Sequence, residues 1–445
     1  MIATPSATPD PGHDMSGPGP RGEVGHLQWF VFGLFFIFGG ITSLNDILVP
    51  KLKELFELNY FQAMLIQTAF FAAYFIVSLP AAALVQKVGY MRGAVVGLVI
   101  MMVGCLLFIP AAGAGLFAAF LGALFVLASG VTLVQVVANP LISMLGEPRT
   151  APSRLTFAQA FNSLGTTIFP YVGATVILGS LAAVKASDIS GAALTAYRAA
   201  EAAVITHAYL GIAAALGVVA MVVWLNRNRL VEERAPTVGF LSAFNLLKQP
   251  RFAFGALGIF VYVGAEVAVA SLMTNYLMQA DTLALPAQGA GERLALYWGG
   301  ALVGRFIGAW VMRFIAPWKV LASAALGAVV LIALSVFTTG AISGYALLAV
   351  GLFNAVMFPT IFTLASAGLG KRAAEGSGII CMAIVGGAIV PPLTGYVADV
   401  STLRIAFVIP VVCYFVIALY ARYCGGIGKD VSDMSWSASQ EPGNA

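Results

Sequence analysis

Apolar stretches long enough to cross a lipid bilayer recur along this chain, separated by short clusters of Pro, Gly and charge. Trp29 to Ile41 running on toward Pro50, and Leu321 to Phe337, are representative: as helices, about 20 residues at a rise of ~1.5 Å cover a hydrocarbon core of roughly 30 Å. Reading the runs against their breaks predicts spans near 27–50, 60–86, 93–111, 115–145, 154–180, 203–225, 252–279, 294–315, 319–339, 343–367, 375–398 and 403–423. The short alternating segments of a membrane β-barrel do not occur. The pattern predicts an all-α polytopic membrane protein with twelve transmembrane helices.

The segment from Asn226 to Arg251, containing RNRLVEERAP, is the longest charged interruption and divides six spans from six. The two sets also match at a nearly constant offset. Phe30, Gly33 and Phe38 fall on Phe252, Gly255 and Phe260, and Gly165, Ile168 and Pro170 on Gly386, Ile389 and Pro391. Two helices agreeing in this way point to a duplicated six-helix unit, a plan suited to alternating access around a site near the midplane. The expected organisation is a flexible cytoplasmic tail over 1–26, an N-terminal six-helix bundle over 27–225, a cytoplasmic linker over 226–251, a C-terminal six-helix bundle over 252–423 and a cytoplasmic tail over 424–445.

Composition agrees with the pattern. Of 445 residues, 60% are hydrophobic and 9% charged, where a soluble domain carries about a quarter as charge. The first 25 residues lack a basic stretch followed by an apolar core and a cleavage site, so a flexible tail is expected there and not a signal peptide. The formal charge of +4 gives no reason to invoke nucleic acid; its distribution is more informative. With the N-terminus inside, sixteen of the 23 Lys and Arg fall on the cytoplasmic side and six on the other, which places both termini in the cytoplasm. The four cysteines show no CxxC spacing and the three histidines are scattered, so neither a metal nest nor a disulfide framework is expected, nor a cofactor.

A carboxylate in hydrocarbon is costly unless it meets a cavity or a partner, so such residues are functional candidates. Asp46, in TSLNDILVP beside Asn45, either borders the outer end of the first span or serves a hydrated cavity mouth where proton exchange is possible. Glu266, in FVYVGAEVAVAS, falls near the middle of the seventh span; a structural hydrogen bond and a role in substrate or ion binding are both open. Glu375 and Asp399 read as boundary, capping or gating residues. Gln135 and Asn139 share one helical face, as do Gln159 and Asn162. Four amides can glue helices together, or present the donors and acceptors that neutral sugar hydroxyls require, and the number at similar depth favours the second. Tyr262, Asn275, Tyr276, Trp298 and Asn354 are further candidates in the second half, against the plainer alternative of packing or interfacial residues. Arg305, in GGALVGRFIGAW, either snorkels to the interface or meets a cavity carboxylate.

LNDILVP, LIQTAFFAAYFIVSLPAA, GVTLVQVVANP, SRLTFAQAFNSLGTTIFP, YVGAEVAVASLMTNYL and GYVADV together resemble the fucose/galactose/glucose:proton symporter family of the major facilitator superfamily, over about residues 27–423. The resemblance implies the major facilitator fold, two pseudo-symmetric six-helix bundles, and sugar uptake coupled to a cation. It implies Asp46 as the protonatable residue, with Glu266 as a second ionisable group in the C-terminal bundle. Asn45, Gln135, Asn139, Gln159, Asn162, Tyr262, Glu266, Asn275, Trp298 and Asn354 then become candidates for lining the sugar cavity, and Lys87, Arg92, Arg305 and Asp399 for gating. Fucose permeases carry glutamate at the position of Gln135, whereas Gln135 and Glu266 are similar to the glucose/galactose and N-acetylglucosamine branches.

The expectation is therefore proton-coupled uptake of a neutral hexose, glucose or galactose, through the bacterial inner membrane. Its partners would be the sugar, a coupling cation and membrane lipids, with no nucleic acid, in a monomer. N-acetylglucosamine or fucose transport, sodium coupling in place of H+, and a sugar sensor or scaffold that has lost transport are the alternatives. No nucleophile-base constellation points to an enzyme.

Overall fold

The computed structural model of the chain describes residues 27–43, 60–114, 116–173, 191–227 and 240–438. The helices are α1 (Leu27–Ser43), α2 (Tyr60–Val88), α3 (Tyr90–Ala114), α4 (Phe117–Met144), α5 (Ala151–Gly173) and α6 (Ala192–Leu225). After them come α7 (Pro250–Leu277), α8 (Ala287–Val311) and α9 (Pro317–Phe337), then α10 (Gly340–Ser366), α11 (Gly370–Val400) and α12 (Leu403–Gly426). Among the described residues ten helices are long and apolar enough to cross a membrane; α1 is shorter as described. α5 is the more polar one, carrying Arg154, Gln159, Asn162, Ser163 and three threonines.

The boundaries follow local chemistry. A single residue, Gly89, separates α2 from α3, and its φ of 87° is a conformation that a side chain would disfavour. α6 begins well before the expected start near 203, because AALTAYRAAEAA is helix-forming although Arg198 and Glu201 keep it out of an apolar window. Within the charged interruption, Phe240–Lys248 forms a 3-10 helix leading into α7. The last helix continues as Val408–Ala438, into the segment expected as a tail.

Three helices are broken, α12 only by a turn at Phe407 between Leu403–Ala406 and Val408–Ala438. α10 consists of Gly340–Asn354 and Met357–Ser366. Pro359 has no N–H to offer the Ala355 carbonyl, which loosens this turn. α11 consists of Ala373–Ala383 and Gly386–Val400. Pro391 and Pro392 follow there, and the joint closes by tight bonds such as Gly387 N to Ile384 O at 3.0 Å.

In the first half α3 packs on α4 and α6, and α2 on α4; in the second, α7 packs on α11 and α12, α8 on α10, and α9 on α10 and α12. One close crossing occurs twice. A Cβ on Gly165 of α5 would lie 2.1 Å from the Phe36 carbonyl oxygen of α1, and one on Gly386 of α11 would lie 1.9 Å from that of Phe260 in α7. In the same pairs, Gly40 faces Phe169 and Gly264 faces Val390. The α1–α5 contact is thus repeated as α7–α11.

The halves meet through α5 on α8, and through α2 and α4 on the first segment of α11. At the end carrying Lys87 and Arg372, Gln86 Nε2 donates to Glu375 Oε1 at 2.8 Å. Arg372 donates to Glu375 Oε2 from Nε at 3.0 Å and from Nη2 at 2.6 Å, and its Nη2 also reaches the Ser242 carbonyl oxygen at 3.1 Å. Ser153 Oγ donates to Ala309 O at 2.6 Å nearby. This basic end is closed, and the 3-10 helix of the linker is tied to the closure.

The opposite end of the second half is clamped. The Tyr276 hydroxyl lies 2.8 Å from Ser343 Oγ and 3.0 Å from Ser335 O, while Ser335 Oγ donates to Ser343 O at 2.8 Å. Arg404 adds bonds from Nη1 to Val336 O and Thr338 O, both 2.7 Å, and from Nε to Asp281 Oδ2 at 2.9 Å. These contacts join the ends of α7 and α9 to the starts of α10 and α12.

Candidate functional site

Tyr262 and Glu266 are four residues apart on α7 and so share a face. The Tyr262 hydroxyl donates to Glu266 Oε1 at 2.8 Å and lies 3.1 Å from the Asn354 carbonyl oxygen, beside the break in α10. Asn354 Nδ2 donates to the Tyr297 hydroxyl at 2.7 Å, and that hydroxyl lies 3.3 Å from the Glu266 carbonyl oxygen. α7, α8 and α10 are therefore joined around one half-buried carboxylate. Close packing at Gly300, Gly304 and Gly351, where an added Cβ would press on the facing helix, permits the α8–α10 approach.

Arg305 lies on α8 and reaches into the other half. Its Nη1 donates to the Gln159 carbonyl oxygen at 3.1 Å and contacts Ser163 Oγ, both on α5. Its Nε is buried with no partner. The sequence left snorkelling and a cavity carboxylate open; the structure places the guanidinium at the α5–α8 seam. Arg305 and Glu266 are within electrostatic range of each other. Among the described residues they do not form an ion pair within 4.0 Å.

The amides of the first half differ in use. Asn139 is fully buried, and neither its side-chain nitrogen nor its oxygen has a partner; Gln135 Oε1 is likewise buried and unpartnered. Asn162 Nδ2 lies 3.4 Å from the Phe35 carbonyl oxygen, so this amide serves the α1–α5 crossing, where Gly39 makes room for it. Gln159 is buried and holds Arg305 through its backbone.

Other expected residues fall elsewhere. Asn45 and Asp46 lie outside the described residues. Trp298 is 45% exposed and stands seven residues before Arg305, on the same helical face about two turns away. Its neighbour Tyr297 is the residue that enters the network. Asn275 is exposed and lies half a turn round α7 from the face of Glu266, in line with exposed Leu257. Lys87 and Arg92 are exposed at the basic end, and Asp399 is exposed at the end of α11. Tyr276 belongs to the clamp. Sequence reasoning missed Tyr297 and the Gln86–Glu375 bond; only the i,i+3 spacing of Arg372 and Glu375 signalled either of these.

The centre is suited to binding hydroxyl groups: a carboxylate that accepts, a guanidinium that only donates, and amides that do both. Among the described residues no three His, Cys, Asp or Glu side chains gather to hold a metal ion.

Residues 30–384 match the Major Facilitator Superfamily. The chain is 50% identical over 387 residues to the glucose/galactose transporter of Brucella abortus biovar 1 (strain 9-941), covering 87% of this chain and 91% of that protein. It is 34% identical over 404 residues to the L-fucose-proton symporter of Escherichia coli (strain K12), covering 88% and 91%. The crystal structure of the major facilitator transporter FucP in the outward conformation superposes with a TM-score of 0.83 at 32% identity, covering 90% of this chain and 99% of that one.

Proposed function

The chain belongs to the Major Facilitator Superfamily, and on that premise we propose that it carries glucose or galactose across the bacterial inner membrane with a proton, by alternating access. It is a secondary active transporter and not an enzyme. The observation that carries the substrate reading is the polar centre where Arg305 of α8 meets α5, beside the network that joins α7, α8 and α10 around Glu266. There Glu266, Arg305 and the unpartnered Asn354 Oδ1 lie within spans otherwise apolar. A neutral polyol satisfies donors and acceptors together, whereas a charged solute would be repelled by one of the two ionic groups.

The recurring α1–α5 and α7–α11 crossing supports twelve spans in two six-helix bundles. The sixteen-to-six distribution of Lys and Arg supports cytoplasmic termini, which makes the closed basic end cytoplasmic and this form outward-facing. The working unit is a monomer.

Asp46 is assigned as the coupling carboxylate. A protonated acid enters a closed, dry state at lower desolvation cost than a carboxylate, so proton binding would control which conformation is reached. Asp46→Asn is expected to abolish accumulation against a gradient while sugar-for-sugar counterflow in proteoliposomes is partly kept. Accumulation with normal proton stoichiometry in Asp46→Asn, lost instead in Glu266→Gln, would move the coupling group to the second bundle. In the same vesicles, glucose or galactose should compete against labelled glucose better than fucose or N-acetylglucosamine, the neutral Gln135 being the reason. Uptake that depends on Na+ at fixed pH would replace the proton as coupling ion.

A further inference from the structure

Arg305 is an expensive residue to keep at the seam of two apolar bundles, and its hydrogen bonds account for only part of it. Nη1 is taken up by Gln159 O and Ser163 Oγ of α5, whereas Nε is buried and unpartnered. Leaving a donor unpaired in such a place is costly, and more so for a charged group. On the same side of the seam, Glu266 uses Oε1 for Tyr262. Glu266 and Arg305 act on each other electrostatically, and among the described residues no ion pair within 4.0 Å joins them. A group that only donates and a group that accepts can share one hydroxyl, whose oxygen accepts from the guanidinium while its proton goes to the carboxylate.

Resting on the reading of the protein as a hexose transporter, we propose that Arg305 is a sugar-binding residue that joins the two bundles: α5 holds one edge of its guanidinium, and the other edge takes a hexose hydroxyl shared, directly or through the adjacent hydroxyl, with Glu266. Sugar bound to the second bundle is then connected to the first through Arg305, and selectivity for an uncharged sugar follows. A sugar acid meets Glu266, and an amino sugar meets Arg305. Lysine would keep the charge but not the planar fork that faces both ways.

The test is gradient-free counterflow of labelled glucose in proteoliposomes, with KM and Vmax measured for the parent sugar and for singly deoxygenated glucose analogues. In the wild type one analogue, lacking the bridging hydroxyl, is expected to bind at least about tenfold more weakly, as for a hydrogen bond to a charged group. Arg305→Lys should raise the KM of glucose by a similar factor, keep most of Vmax, and erase discrimination against that one analogue. Ser163→Ala, which removes one anchor and leaves the guanidinium, should raise KM several-fold and narrow the same discrimination. A lower Vmax with unchanged KM and an unchanged analogue profile in both variants would make Arg305 a structural strut and overturn the assignment. Wild-type protein that counterflows another sugar but neither glucose nor galactose would overturn the substrate reading instead, and the same deoxy series on that sugar would then decide Arg305 separately.

Discussion

Asn139 pays a penalty in the form described here: fully buried, with both side-chain polar atoms unpartnered, it forgoes about 1–3 kcal/mol per unpaired group. That loss disappears when the seam around α4 opens to water or sugar, so Asn139 favours departure from the closed basic end. Asn139→Leu, close in volume, is expected to raise the thermal transition of the purified protein and to slow turnover; unchanged stability would count against this account. Tyr297 is the opposite case, since its hydroxyl accepts from Asn354 and faces Glu266 O. Tyr297→Phe should destabilise by about 1–3 kcal/mol and weaken sugar affinity, read from a thermal melt and a counterflow KM. Spacing made the shared faces of Gln135 with Asn139 and of Gln159 with Asn162 legible in the sequence. It could not tell which amide would be used for packing, as Asn162 is, or left unpaired, as Asn139 is, because that depends on helices far away in the chain.

At the scale of helices, apolar length located the spans well, since hydrocarbon thickness is the dominant constraint. It failed where helix and membrane part company, as in the polar start of α6, and it gave no sign that α10 and α11 are each two segments. Pro359, which loosens the joint of α10, was visible in the sequence, but a proline breaks a helix only when neighbours let the freed carbonyl find other company; Pro391 and Pro392 sit inside the second segment of α11. The doubled glycine crossing is the more stringent feature. Gly386→Val would drive a side chain into the Phe260 backbone, an overpacking expected to cost at least ~1–3 kcal/mol. Gly122, with nothing within 4 Å of an added Cβ, should accept alanine without loss. Thermal unfolding of the two variants in one detergent checks the contrast, and equal melting points would remove the crossing from the account.

For the whole molecule, matched motifs motivate the proposed twofold plan, and the basic residues its proposed polarity. The closure between halves could not be read from the sequence, because partners such as Gln86 and Glu375 are 289 residues apart. Glu375→Ala removes the acceptor shared by Gln86 and Arg372 and should shift the population toward opening at the basic end. A cysteine introduced at Ser153 would then react faster with a membrane-impermeant thiol reagent applied from the cytoplasmic side, against a low background because Cys105, Cys381, Cys413 and Cys424 are all buried. Unaltered labelling would exclude a latch at this site. Reporter fusions at Gly12 and Gly443 should both report the cytoplasm, and opposite locations would break the even span count. The clamp of Tyr276, Ser335, Ser343, Asp281 and Arg404 bears on how the second bundle moves. With α7, α9, α10 and α12 bonded together at one extremity, opening one end costs less by swinging them as a block than by fraying them one at a time. Their amides near residues 276, 335 and 343 should therefore exchange with deuterium slowly and in step throughout turnover, while those at the joints of α10 and α11 exchange first.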